Sequence, residues 1–253
     1  MTMLQPSISQ TFNGTVWRLQ IDGQTGIMAV ELRNEQEKQT SFASLNLLTG
    51  EVHFDNLVMP ERWLTGIEAV YNGVILLHYY KHESGPEHKT IIAVDAKTAA
   101  EVWSNYNLAF DHFSVNGPVV YNTNIQPKKL LLIDVLTGQT IRPYDAIQDK
   151  PLEQEIVIPD MVPANQLLPG SLPDEPYGNM VHYLNHNSYR IVSLHTLKNG
   201  ALQQHLYILK NAEVVYYDLL NRHIQKLQPE AFVLHKNILI YIKDKAEIKV
   251  LEI

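Results

Sequence analysis

The chain has 253 residues, 45% hydrophobic and 19% charged, with 13 Tyr and a formal net charge of −7, a globular balance that provides for a sizeable core. It contains no cysteine, which excludes disulfides, thiolate nucleophiles and cysteine-based zinc or iron–sulfur sites. The acidic balance, without any block of like charge, argues against a nucleic-acid partner, which needs a clustered basic surface, and no apolar run approaches the ~18 residues that a membrane-spanning helix requires.

At the N-terminus, MTMLQPSISQTFNG (Met1–Gly14) has neither the basic start nor the apolar core of a secretory signal, so a cytoplasmic location is expected. The rest of the chain repeats itself. One marker is an apolar run ending in Asp or Asn and followed by a Thr-Gly-like turn. It recurs as SLNLLTGEVHF (Ser44–Phe54), AVDAKTAAEVW (Ala93–Trp103), LIDVLTGQTIR (Leu132–Arg142) and YYDLLNRHIQK (Tyr216–Lys226). The key positions are Asn46, Asp95, Asp134 and Asp218, spaced by about 49, 39 and 84 residues, the last close to a doubled period. A second marker is an Asn-Gly or Asp-Gly pair, the chemistry of a tight hairpin turn. It stands at Asp22-Gly23, Asn72-Gly73, Asn116-Gly117 and Asn199-Gly200, with a weaker echo at Lys236-Asn237. Both markers keep the same phase and share the same long gap. Runs such as VILLHYY (Val74–Tyr80) and TIIAVD (Thr90–Asp95) lie between them and read as strands. Each repeat is therefore strand, tight turn, strand, loop, strand, Asp-x-x-Thr-Gly turn, strand, an antiparallel meander of roughly 40–45 residues that matches one propeller blade.

The expected fold is all-β: a β-propeller of four-stranded antiparallel blades in a single domain spanning 1–253. Five blades are expected, or six if residues 146–188 are a degenerate blade. A proline-rich irregular excursion at about 146–179 carries Pro151, Pro159, Pro163, Pro169, Pro173 and Pro176, a density that forbids a regular sheet interior. Only Glu155–Ile158 and Met180–Leu184 read as strands there. EIKVLEI (Glu247–Ile253) reads as the third strand of a last unit. SISQTFN (Ser7–Asn13) is expected to supply its fourth strand and close the ring, which removes exposed sheet edges.

AVDAKTAAEVW resembles the tryptophan-docking motif of the quinoprotein (pyrroloquinoline-quinone-type) propellers, A-x-D-x-x-T-G-x-x-x-W. Ala93, Asp95, Thr98 and Trp103 fall on its fixed positions, and Ala99 replaces the Gly. The resemblance implies that Asp95 and Thr98 tie a turn while Trp103 wedges against the adjoining blade, and it extends the turn role to Asp134, Thr137 and Gly138. Phe54, Arg142 and Lys226 stand where the other copies should carry Trp. The resemblance concerns architecture. The calcium–quinone site and cysteine pair of those dehydrogenases have no counterpart among these residues, so neither quinone-dependent activity nor any cofactor is expected. Size and phasing are also similar to an uncharacterised propeller family of Bacteroidota, a domain of unknown function that brings no activity with it.

Candidate chemistry is sparse. In HYLNH (His182, His186), followed by His195 and His205, strand spacing holds His182 and His186 about 13 Å apart, too far to share a metal. These read as surface or channel-lining residues. HYYKHESGPEH (His78–His88) reads as a solvated strand end and hairpin loop, with His78, Tyr80 and His82 alternating onto one face. No metal site is expected. Asp111-His112 imitates an acid–base pair, but adjacent strand residues face opposite sides. Asp22, Glu68, Asp111 and Asp174 offer carboxylates of the kind glycosidases pair, yet nothing in their local sequence separates them from turn residues. No nucleophile elbow, phosphate loop or dinucleotide fingerprint occurs.

The regular turns share one end of each blade. The opposite end receives the irregular loops Arg33–Gln39, Val58–Gly66, Lys81–Lys89 and Asn122–Lys129, together with the proline-rich excursion. Binding sites concentrate on loops held by a rigid frame, so Arg62, Trp63, His82, His88, His112 and Tyr177 are the candidate ligand- or partner-binding residues. The expected function is a non-enzymatic binding or scaffold module, monomeric, taking a protein or small molecule on that face and neither nucleic acid nor membrane. The alternative is a hydrolase or lyase with carboxylates or His converging on the central channel.

Overall fold

The structure is a computed structural model that describes residues 3–166, 172–229 and 231–253. It is all-β, with five antiparallel sheets of four or five strands in blade-like meanders. A single 3-10 turn, Ala164–Gln166, is the one helical element among the described residues. No helix of these residues is long and apolar enough to cross a membrane. Pro169 lies outside the described residues. The chain divides into two compact units, Phe12–Gln154, and Met1–Thr11 with Glu155–Ile253.

Strand β1 (Ile8–Thr11) belongs to the split unit. The continuous unit then carries three four-stranded meanders: β2 (Thr15–Asp22), β3 (Ile27–Asn34), β4 (Gln39–Asn46) and β5 (Val52–Leu57); β6 (Thr65–Tyr71), β7 (Val74–Tyr80), β8 (His88–Asp95) and β9 (Glu101–Asn105); β10 (Leu108–Ser114), β11 (Gly117–Asn122), β12 (Leu130–Ile133) and β13 (Thr140–Pro143). The middle sheet is covered on both faces, which is why β7 and β8 read as unbroken apolar runs. On one face Ile67, Val70, Ile75 and Leu77 pack with Ile27, Ala29 and Phe42 of the first sheet. On the other, Val74, Leu76, Ile91 and Ala93 pack with Leu108, Val120 and Ile133 of the third.

The Asp-centred turns are built from local hydrogen bonds. The Asp95 carboxylate accepts from the backbone N–H groups of Lys97 (2.9 Å) and Thr98 (2.7 Å) and from Thr98 Oγ1 (2.9 Å). Asp134 does the same with Leu136 (2.9 Å), Thr137 (2.8 Å) and Thr137 Oγ1 (3.0 Å). The residue after each Thr is left-handed, Ala99 at φ 61° and Gly138 at φ 69°. The Trp103 indole of the middle sheet rests on the third sheet's turn and donates from Nε1 to the Val135 carbonyl at 2.8 Å. Where a two-residue Asp22-Gly23 hairpin is expected, the structure instead repeats this five-residue turn. Asp22 accepts from Gln24 N (3.0 Å) and Thr25 Oγ1 (2.6 Å), and Gly26 is left-handed at φ 71°. Asp22 Oδ2, which takes the Thr25 hydroxyl, also accepts from Gly73 N at 2.9 Å, stitching the first sheet to the second.

In the split unit, β14 (Ile156–Val157) and β15 (Asp160–Pro163) precede β16 (Met180–His186), β17 (Tyr189–Lys198), β18 (Ala201–Lys210), β19 (Glu213–Ile224), β20 (Val233–His235), β21 (Ile238–Lys243) and β22 (Glu247–Glu252). The sheets run β15-β16-β17-β18-β19 and β1-β22-β21-β20-β14. Strand β1 pairs antiparallel with β22, Ile8 opposite Val250, so the N-terminal segment completes the C-terminal sheet. Strand β15 is not foreseen by the sequence reading. Both excursion strands lie at sheet edges, the position where a proline's missing N–H removes no ladder bond.

The fourth repeat copy is phased differently from the expectation. Asp218 lies inside β19, and the turn before that strand is Asn211–Ala212, both left-handed (φ 51° and 67°). Strands β17 and β18 have 10 residues each and β19 has 12; Asn199-Gly200 still forms a hairpin turn, between β17 and β18, but the Asp position falls past the next turn. Asp218 bonds Tyr241 Oη (2.7 Å), Lys243 Nζ (2.6 Å) and Lys249 Nζ (3.1 Å) instead of local amides. Burial pushes its carboxyl up, but hydrogen bonds from Lys243, Tyr241 and Lys249 outweigh that and hold it below the usual carboxylate range. Removing this partner leaves Lys243 without its carboxylate and Lys249 with only Glu247 at 3.8 Å, so Asp218→Ala is expected to cost about 2–4 kcal/mol in denaturant unfolding at pH 7. Because the folded pKa is lowered, the stabilisation exists above the unfolded pKa of 3.8 and is lost as pH falls through the folded value. The gap between wild type and variant should therefore close in acid.

Candidate functional site

The first strands of the three meanders in the continuous unit each carry a β-bulge. Register shifts fall between Val16 and Arg18, between Ile67 and Ala69, and between Phe110 and His112. The extra residues are Trp17, Glu68 and Asp111. A bulge breaks side-chain alternation and re-aims the residues beside it. That overturns the expectation for Asp111 and His112. His112 Nδ1 lies 2.9 Å from Asp111 Oδ2, and Lys128 Nζ bonds the other carboxylate oxygen. The Tyr144 ring meets His112 edge-on at 5.2 Å.

A second irregularity shapes the middle sheet. Leu77 opposes Ile92, but Tyr79 opposes Lys89, leaving an extra residue in β8. Thr90 there takes φ 68°, a genuine outlier for a β-branched residue. The His88 ring consequently stacks on His78, with centroids 3.6 Å apart and planes 9° apart. Glu68 Oε1 lies 2.6 Å from His88 Nδ1 and 3.3 Å from His78 Nδ1, while Tyr80 meets both imidazoles edge-on.

His78 is fully buried, and neither of its ring nitrogens makes a hydrogen bond. The solvated strand end expected from the sequence is therefore corrected at His78. Space for its ring exists because residue 66 is glycine: a Cβ there would sit 2.8 Å from His78 Cε1. Burial, reinforced by His88, Arg18 and Arg33, pushes the His78 pKa down to about 2 and keeps the ring neutral. His82, on the loop beyond, is exposed.

Strand β6 lies at a sheet edge, so alternate backbone groups face away from β7 and need partners. Glu31 Oε2 accepts the Ile67 N–H at 3.0 Å, and Arg18 Nη1 donates to the Ile67 carbonyl at 2.7 Å. The other Glu31 oxygen accepts from Arg33 Nε at 2.9 Å. This ion pair orients Arg33 in a ladder. Its guanidinium lies 4.5 Å from the Trp17 ring centroid and 5.4 Å from that of Trp63, and Lys38 Nζ lies 4.7 Å from Trp63. Trp17 is 58% exposed. The segment bearing Trp63 is pinned by Thr40, whose N–H donates to the Arg62 carbonyl (2.6 Å) and whose Oγ1 donates to that of Trp63 (3.2 Å). The Arg62 guanidinium itself bonds Gln39.

Of the sequence-chosen residues, Trp63 joins the cationic ladder, His88 joins Glu68, and His112 joins Asp111. Tyr177 belongs to the split unit, where it is exposed and its backbone N–H donates to the His195 carbonyl at 2.6 Å. Asp174 accepts from Tyr207 Oη. The histidines expected on a surface or channel are buried at 182, 195 and 205, because β16–β18 form a sheet interior. Each has its own partner: His182 Nε2 with the Pro229 carbonyl (2.8 Å), His195 Nε2 with Gln228 N–H (3.0 Å), and His205 with Thr196 Oγ1 (2.9 Å) and Tyr217 Oη (3.1 Å). Sequence reasoning missed Trp17, Glu31 and Arg33, which carry no motif.

Residues 21–103, most of the first two meanders, match the model of a domain of unknown function, DUF4905. No curated protein matches the chain in sequence. Among solved structures, BamB from Moraxella catarrhalis is similar at 8% identity and a TM-score of 0.27, over 93% of this chain and 84% of that one. Raptor from Chaetomium thermophilum is similar at 9% identity and a TM-score of 0.33, over 99% of this chain and 29% of that one. A europium-containing methanol dehydrogenase is similar at 11% identity and a TM-score of 0.30, over 96% of this chain and 52% of that one. The chain thus spans under a third of the Raptor chain and about half of the dehydrogenase.

Proposed function

We propose that this chain is a binding module whose partner is a protein docking on the loop end of the Phe12–Gln154 unit. The observation that carries this reading is the ladder of Trp17, Arg33, Trp63 and Lys38, with the Trp17 indole 58% exposed at its end. Trp and Arg dominate the energetic centres of protein interfaces, and each cation–π contact contributes about 0.5–1 kcal/mol at exposed sites. Here the Arg33–Glu31 ion pair fixes the cation beforehand, so less side-chain freedom is lost on docking. An exposed Trp17 indole backed by Arg33, with Lys38 against Trp63 beyond it, suits a partner that presents apolar surface beside acidic side chains.

The test uses wild-type protein and Trp17→Ala as baits in native lysate. A protein captured stoichiometrically by wild type, and at least about tenfold less by the variant, supports the reading. Equal capture by both, or none by a folded wild type, refutes it. The hydrolase or lyase reading is favoured by a different observation, the two carboxylate–imidazole pairs Glu68–His88 and Asp111–His112, an acid–base arrangement. Turnover of a glycoside by wild type but not by Asp111→Asn would favour that second reading.

A further inference from the structure

We propose that Glu68, His78 and His88 form a binding site for one first-row divalent cation of the Zn2+ type. Their three donor atoms all lie within 4.8 Å of one another. Tetrahedral Zn2+ bound at about 2.0–2.2 Å from each donor needs ligand atoms roughly 3.3–3.6 Å apart, so the set must adjust by up to about 1.5 Å, the 2.6 Å Glu68–His88 contact opening as a wider pair closes. Two imidazole nitrogens and one carboxylate oxygen suit Zn2+ and its neighbours, whereas Ca2+ and Mg2+ take oxygen ligands. Three protein donors also leave a coordination position free for water or a ligand.

His78 is the independent pointer. A side chain this deeply buried normally pairs its polar atoms, yet neither nitrogen of His78 makes a hydrogen bond, and its Nδ1 lies 3.3 Å from Glu68 Oε1 with the His88 ring stacked alongside. A cation would take the unused lone pair. Two rings only 9° from parallel cannot aim both lone pairs at one point, so one ring must turn on binding. His88 is the ring able to do so: its side chain is 26% exposed at the start of β8, beside the 81–87 loop. His78 is confined by Gly66 and Tyr80. The buried histidines of the split unit are held by carbonyl, amide and hydroxyl partners, and among the described residues no other group of three such donors converges.

The full chain, stripped with a chelator and dialysed against Zn2+ alone, should retain one equivalent and gain thermal stability. His88→Ala and Glu68→Gln, chosen because neither empties the core as a His78 variant would, should each weaken Zn2+ binding at least about tenfold with an unchanged circular dichroism spectrum. His186→Ala, which removes a histidine of the other unit, should bind like wild type. Failure of wild type to retain Zn2+, or retention equal in wild type, His88→Ala and Glu68→Gln, would overturn the site. So would loss of binding in His186→Ala.

Discussion

Replacing Gly138 with alanine should destabilise the protein by about 2–4 kcal/mol, measured by denaturant unfolding. Two costs combine. Residue 138 is left-handed at φ 69°, a conformation that costs a non-glycine residue roughly 1 kcal/mol. The new Cβ would also lie 2.6 Å from Trp103 Cδ2 and 2.7 Å from Cε3, and overpacking of that kind costs about 1–3 kcal/mol. Ala99 separates the two. It occupies the equivalent position of the Asp95 turn at φ 61°, so the backbone geometry alone admits alanine. What forbids it at 138 is the indole. In a Trp103→Ala background, Gly138→Ala should therefore cost only about 1 kcal/mol, giving a coupling of roughly 1–3 kcal/mol between the two positions. Strictly additive costs would show that Trp103 does not bear on this turn.

This contact also shows which parts of the molecule were legible in the sequence. Turns built from side chains bonding their own backbone are local, so Asp95, Thr98, Asp134 and Thr137 could be found from spacing. The same chemistry in Asp22-Gly-Gln-Thr25-Gly26 was legible too, but the Asp-Gly pair masked it. Asp218 carried the look of a turn residue and folded into a long strand, because its partners Tyr241, Lys243 and Lys249 come from β21 and β22. Long-range partners leave no local signal. The site was less legible for a related reason. Period-two alternation assigns side-chain faces correctly only along unbroken strands, and bulges at Glu68, Thr90 and Asp111 break it where the carboxylates meet the imidazoles. His78 stood inside an apolar run and was read as the end of it. The ladder required Trp17 and Trp63, 46 positions apart, to flank one arginine, a juxtaposition only the packing of loop on sheet reveals.

The buried histidines of the split unit set a pH dependence of comparable size. Stability should fall as pH drops from about 6.5 toward 4, by up to about 3 kcal/mol from His195 alone. Burial, with His182 and His205 adding to it, pushes the His195 pKa down from 6.5 to about 4. Its Nε2 accepts the Gln228 N–H at 3.0 Å, which only an unprotonated nitrogen can do. Between the two pKa values the unfolded chain binds a proton that the folded chain refuses, so stability is complete above about 6.5 and declines as pH falls. Below about 4 both states are protonated and this contribution changes no further. Burial lowers His205 in the same direction, whereas Asp218, with its lowered carboxyl, acts only in stronger acid. His195→Gln keeps an acceptor near Gln228 but removes the titration. Unfolding free energies at pH 7 and pH 5 should then differ clearly less in the variant than in wild type. Equal slopes through this window would mean that His195 is protonated in the folded state and that its bond to Gln228 is not held by a neutral ring.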